Sequence, residues 1–159
     1  MNLQLTKSLL DKLKPTLVEI DTSKYSDVDN YHCNFIDMKG VDCILITNDK
    51  TLFSFFIYGV DFENFIETIQ QSVFKILLSM GFPQNQFEKV LESMETFNYS
   101  KTSDRSVISS MNDMKRHIEV GLLYYEDSIL EVNERINEIP YKRNNYRYSI
   151  ELFSELLKG

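Results

Sequence analysis

Apolar and polar positions along this chain follow two different periods. In residues 31–60 the apolar runs are short and rich in β-branched and aromatic residues, which predicts three strands: Tyr31–Met38, Val41–Thr47 and Leu52–Val60. Between them stand Lys39-Gly40 and Asn48-Asp49-Lys50, turn residues in connections so short that the strands must form an antiparallel meander. The middle run is almost wholly apolar, so cover on both faces is expected near its centre. Asn2–Leu5 and Thr96–Lys101 read as two further short strands.

Elsewhere the spacing is helical. Thr6 is placed to cap a helix that carries Leu9, Leu10 and Leu13 and is closed by Pro15, with Leu5 and Leu10 as a hydrophobic staple. Asp61 is the expected cap of the next helix, in which Phe62, Phe65, Ile66, Ile69, Val73, Ile76, Leu77 and Met80 recur. Gly81 follows as a C′ residue, and Phe82 is placed to meet Leu77 in a Schellman ending. Pro83 opens a helix bearing Phe87, Val90, Leu91 and Met94. Ser103 is read as the cap of a long helix over 104–125. Ser128 with Glu131 forms a capping box for a helix that must end before Pro140, and Ser149 caps a last one. Residues 19–30 and 141–148 are left as loops. Asp27, Asp29 and Asn30 lack the mid-loop Gly and final Glu of a calcium loop, so no metal is expected there.

The order β-α-β-β-β-α-α-β-α-α-α predicts one α+β domain over 1–159. In it an antiparallel sheet, the meander plus the later strand, packs one face against the C-terminal helices. Composition agrees with a packed core: 43% hydrophobic residues, 11 Phe and 9 Tyr, and only 5 Gly and 3 Pro. The net charge of −7 repels phosphate backbones unless basic residues cluster. Residues 1–13 lack a signal peptide's apolar run, and nothing approaches the ~20 apolar residues of a membrane helix, so a cytoplasmic, membrane-free protein is expected. Cys33 and Cys43 form no metal pattern. They fall on adjacent strands, where a disulfide is conceivable and two small packed thiols are the ordinary alternative.

The long helix segregates its residues sharply. Val107, Met111, Met114 and Ile118 fall on one face; Arg105, Ser109, Asn112 and Arg116 fall opposite, with Asp113 at the margin. Such a face is most often merely solvated. Ser and Asn are poor helix formers, however, and their presence on one stripe marks a candidate binding surface. The second candidate is the 141–148 loop, where Tyr141, Arg143, Tyr146 and Arg147 alternate bases with aromatics. That mixture serves as loop anchors, as a protein interface or as a single-stranded nucleic-acid site.

Catalytic chemistry has little to stand on. His32 and His117 are the only histidines, no serine sits in a nucleophile motif, and no phosphate-binding or dinucleotide fingerprint occurs. No cofactor is expected.

Residues 3–13 (LQLTKSLLDKL), 31–60 (YHCNFIDMKGVDCILITNDKTLFSFFIYGV), 101–119 (KTSDRSVISSMNDMKRHIE) and 137–153 (NEIPYKRNNYRYSIELF) resemble a family of small uncharacterised bacterial proteins, a domain of unknown function. The resemblance implies a bacterial intracellular protein, often on mobile elements. It carries no activity and no catalytic residues, and points to Arg105, Ser110, Met111, Asn112 and Asp113 in the helix. The expected function is a non-catalytic binding or regulatory module acting on another protein. One alternative is nucleic-acid binding through 141–148. Another is an enzyme whose site joins Asp49, Arg105, Asn112, Asp113 or His32.

Overall fold

The computed structural model describes residues 1–159. Five strands, β1 (Asn2–Leu5), β2 (Asn30–Met38), β3 (Val41–Asn48), β4 (Ser54–Tyr58) and β5 (Asn98–Lys101), form one sheet in the order β4-β3-β2-β1-β5. Six helices accompany it: α1 (Lys7–Leu13), α2 (Phe65–Ser79), α3 (Gln84–Ser93), α4 (Arg105–Tyr124), α5 (Ile129–Ile136) and α6 (Ser149–Lys158).

The meander forms as its turns dictate. Lys39 and Gly40 both take positive φ, 52° and 86°, the geometry that a two-residue hairpin joining right-twisted strands requires. The sheet as a whole is mixed, which corrects the antiparallel expectation. β1 lies between β2 and β5 and pairs with both in parallel. A parallel pair needs a long crossover, and residues 6–29 with α1 supply it.

The expectation of helices on one face is also corrected, because the strands are apolar on both sides. Leu3, Tyr31, Cys33, Ile44, Ile46 and Phe55 belong to a core that includes residues of α1, α2, α3 and α6. Ile36, Cys43, Leu45 and Phe56 belong to a second core with Val107, Met111, Met114 and Ile118 of α4 and Val132 and Ile136 of α5. In the first core Phe53 stacks on Phe153 with ring centroids 4.4 Å apart, fixing α6 against the sheet. Cys33 and Cys43 therefore sit in different cores, buried and unbonded.

Several helix ends differ from expectation by a few residues. Asp104, not Ser103, caps α4: its Oδ1 accepts from the N–H groups of Ser106 and Val107, while the Ser103 hydroxyl is drawn to Gln4. Asp61 receives Glu63 N–H and the Asn64 amide, so α2 starts only at Phe65. Ser149 lies inside α6, buried against the Asn144 amide, with Tyr148 at the cap. The Ser128–Glu131 capping box and the Schellman ending at Gly81 are present, the latter with Phe82 N–H on Leu77 C=O at 3.1 Å.

The α4 side of the sheet carries a polar row unlike the apolar one beneath it. Ser100, Gln4, His32, Thr47 and Ser54 are register partners across all five strands. Two residues back along these strands, on the same face, Asn98 donates to Asn2 and Asn2 to Asn30, an amide chain at 3.1 and 3.0 Å. No helix is long and apolar enough to cross a membrane.

Candidate functional site

The polar stripe of α4 faces outward. Arg105, Ser109, Asn112, Asp113 and Arg116 are exposed, and Val107, Met111, Met114 and Ile118 are fully buried. Ser110, singled out with them, points inward and returns its hydroxyl to the Ser106 carbonyl.

The 141–148 segment is not an open loop. A short 3-10 turn spans Lys142–Asn144. The Tyr141 carbonyl accepts from both Asn144 N–H and Tyr146 N–H, and the Asn144 amide donates to Thr51 C=O at 2.7 Å. Asn145 and Tyr146 both hold positive φ, 50° and 61°, unusual for non-glycine residues and maintained by that bonding.

These two surfaces, 30 residues or so apart in sequence, meet in space. Ser109 and Asp113 of α4 and Tyr141 and Arg143 of the turn, with Ser106, Ser110 and Lys142, line one open groove of about 560 Å³. Arg105, Asn112, Arg116 and Tyr146 lie outside that lining. Arg147 lines a separate depression of about 600 Å³ beside α6 and is ion-paired with Glu155.

Charges at the groove are partly neutralised. Arg116 pairs with Asp113 at 3.5 Å, and Arg143 with Asp104 at 3.0 Å. Partial desolvation would raise the Asp104 carboxyl. The two helix N–H bonds and Arg143 outweigh it and hold the carboxyl below the ordinary range. The Tyr141 phenol is pushed up, first by burial and then by the negative charge of Asp113, so it stays a hydrogen-bond donor.

At the start of α4 lies a cluster of which the sequence singled out His32 and Asp49. The ring is fully buried. Its Nδ1 bonds Asp49 Oδ1 at 2.7 Å, and its Nε2 accepts from Asp104 N–H at 3.3 Å, which places the proton on Nδ1. Asp49 Oδ2 accepts from the Gln4 amide at 2.7 Å, and Arg143 donates to Asp49 C=O. Folding thus joins His32 to Asp49, as the enzyme alternative required. Both ring nitrogens are occupied, however, and Arg105, Asn112 and Asp113 point elsewhere. The dyad positions the start of α4 against the β3–β4 turn.

The residues that sequence reasoning missed are amides. Asn133 of α5 and Asn137, its C-cap, are fully buried. Each binds one residue of the edge strand β4 twice, Asn133 with Phe56 N–H and C=O and Asn137 with Ser54 N–H and C=O. Their only signal was a pair of asparagines four apart beside the apolar positions Val132 and Ile136.

The family model described as Domain of unknown function (DUF6933) matches residues 2–152. Comparison with curated proteins and with solved structures gives no match.

Proposed function

We propose that this chain, which belongs to the DUF6933 family, is a non-catalytic module that docks another protein in the groove between α4 and the 141–148 turn. The observation that carries this reading is convergence. Two polar surfaces far apart in sequence supply Ser109, Asp113, Tyr141 and Arg143 to one concave wall.

Rigidity supports it. The turn is bonded to β4's approach through Asn144 and to the start of α4 through Arg143 and Asp104. A surface already in shape loses less entropy on binding. A protein partner is favoured over single-stranded nucleic acid because stacking sites need open rings and free cations. In the groove wall the one ring, Tyr141, is packed into the second core and Arg143 is held by Asp104, while the exposed rings of Tyr146 and Tyr148 lie outside that wall.

A photo-crosslinking residue tests the reading. Installed at Ser109, it should give one discrete protein adduct in cells; installed at exposed Glu95, it should not. Absence of an adduct at Ser109, equal yields at both positions, or an adduct to nucleic acid would overturn it.

A further inference from the structure

The outward stripe of α4 changes chemistry partway along the helix. It is polar as far as Arg116; Val120, Leu123 and Tyr124 continue it four to eight residues on. Five of the chain's fourteen exposed large hydrophobic side chains, these three with Tyr125 and Leu130, fall in residues 120–130. Tyr124 and Tyr125 are the most open of all, at 78% and 66%. An exposed apolar cluster of this kind marks an interaction surface.

The same stretch concentrates the chain's negative charge. Residues 119–138 hold six carboxylates against the single guanidinium of Arg135, which accounts for five of the seven net negative charges. Asp127, Glu131, Glu134 and Glu138 gather with Arg135 and His117 around an open depression of about 520 Å³. Tyr124, seven residues beyond His117, repeats its direction on α4 and so stands on the side of the helix that borders this depression. The last turn of α4 contains no basic residue, although a helix C-terminus favours a cation.

The chain itself shows how such a surface holds a cation. The Arg135 guanidinium pairs with Asp127 at 2.8 Å and lies over the Tyr125 ring, 5.4 Å from its centroid. A planar guanidinium meets a carboxylate with its edge and an aromatic ring with its face, which an ammonium cannot do as well. Tyr124, Glu134 and Glu138 offer the same two components, exposed and with no cation of this chain paired to them.

We infer that the C-terminal end of α4 and the outer side of α5 dock an arginine-rich segment of a partner protein. Its guanidinium groups pair with Glu134 and Glu138 and stack on Tyr124, while its apolar side chains cover Val120 and Leu123. This surface lies on the other half of α4 from the groove and does not depend on the reading given to that groove.

Fluorescence anisotropy of a labelled octapeptide of alternating Arg and Gly, titrated with the full chain, provides the test. Saturable binding is expected. Joint Glu134→Lys and Glu138→Lys should weaken it about tenfold or more, whereas the same reversal at exposed Glu88 and Glu92 of α3 should leave it within about twofold. Tyr124→Ala should weaken it about two- to fivefold, the worth of one exposed cation–ring contact. A Lys-Gly octapeptide of equal charge should bind the parent chain less tightly than the arginine peptide, and the two should converge in Tyr124→Ala. All the replaced side chains are exposed, so urea midpoints should match the parent's. No saturable binding, an equal loss from the α3 reversal, undiminished affinity in Tyr124→Ala, or a lysine peptide as tight as the arginine one would overturn the inference.

Discussion

Asn133 binds the backbone of Phe56 at both ends, accepting its N–H at 2.8 Å and donating to its C=O at 2.9 Å across 77 positions of sequence. Asn137 repeats the arrangement on Ser54. The match is metric. Four residues of helix rise about 6.0 Å and two residues of strand about 6.6 Å, so amides at i and i+4 meet alternate residues of an edge strand. Two side chains thereby do the work of a sixth strand and leave β4 no open edge at those residues.

Replacing Asn133 with Ala orphans a buried N–H and a buried C=O. The expected loss is roughly 2–4 kcal/mol in urea unfolding, with concentration-dependent association as the edge opens. A loss below about 0.5 kcal/mol would mean that water replaces the amide and the pairing contributes little.

Asp104 links α4's cap to Arg143, and its carboxyl is held low in the folded chain. A depressed carboxyl stabilises above its unfolded value, near 3.8, and that stability disappears as pH falls through the folded value. Asp104→Asn should therefore be less stable than the parent at neutral pH and lose less on acidification below about pH 4. Parallel acid-unfolding curves for the two proteins would contradict this.

Gly121 faces Asp127 across the α4–α5 connection, where an added Cβ would lie 2.8 Å from Asp127 Oδ2 and 3.4 Å from Val132. The same carboxylate oxygen pairs with Arg135 at 2.8 Å. Gly121→Ala gains about 1 kcal/mol of helix propensity but loses about 1–3 kcal/mol to overpacking. A net destabilisation near 1 kcal/mol is expected, and Asp127→Ser in the same chain should relieve it. Calorimetric melting of the single and double variants decides the matter, and a stabilised Gly121→Ala would refute the steric account.

Both thiols should be silent in the native protein. Burial raises Cys33 strongly and is also the leading cause at Cys43, so neither offers a thiolate. An aromatic disulfide reagent should titrate neither without denaturant and both with it, and non-reducing mass spectrometry should find no internal bridge. Prompt reaction of either native thiol would show that its core opens readily.

Much of this fold was legible because its signals are local. The Schellman ending needs only Leu77, Gly81 and Phe82 in order, and the capping box only Ser128 and Glu131. The two-faced α4 follows from the spacing of Val107, Met111, Met114 and Ile118. Where two residues could serve equally, the chain could not choose between them. Ser103 and Asp104 are both competent caps, and the choice was made by Gln4, 99 positions from Ser103, which takes the serine hydroxyl.

The sequence by itself determined the elements, the meander and the inward and outward faces of the long helix, because these depend on residues within a few turns of each other. Tertiary structure alone decided that β1 enters between β2 and β5, that helices cover both faces of the sheet beyond the centre of its middle strand, and that asparagines close an edge. It also decided that only part of each polar surface, Ser109 and Asp113 with Tyr141 and Arg143, shares a groove. Those outcomes depend on which distant backbone groups come within about 3 Å, the range over which a hydrogen bond acts, and no local pattern encodes that distance.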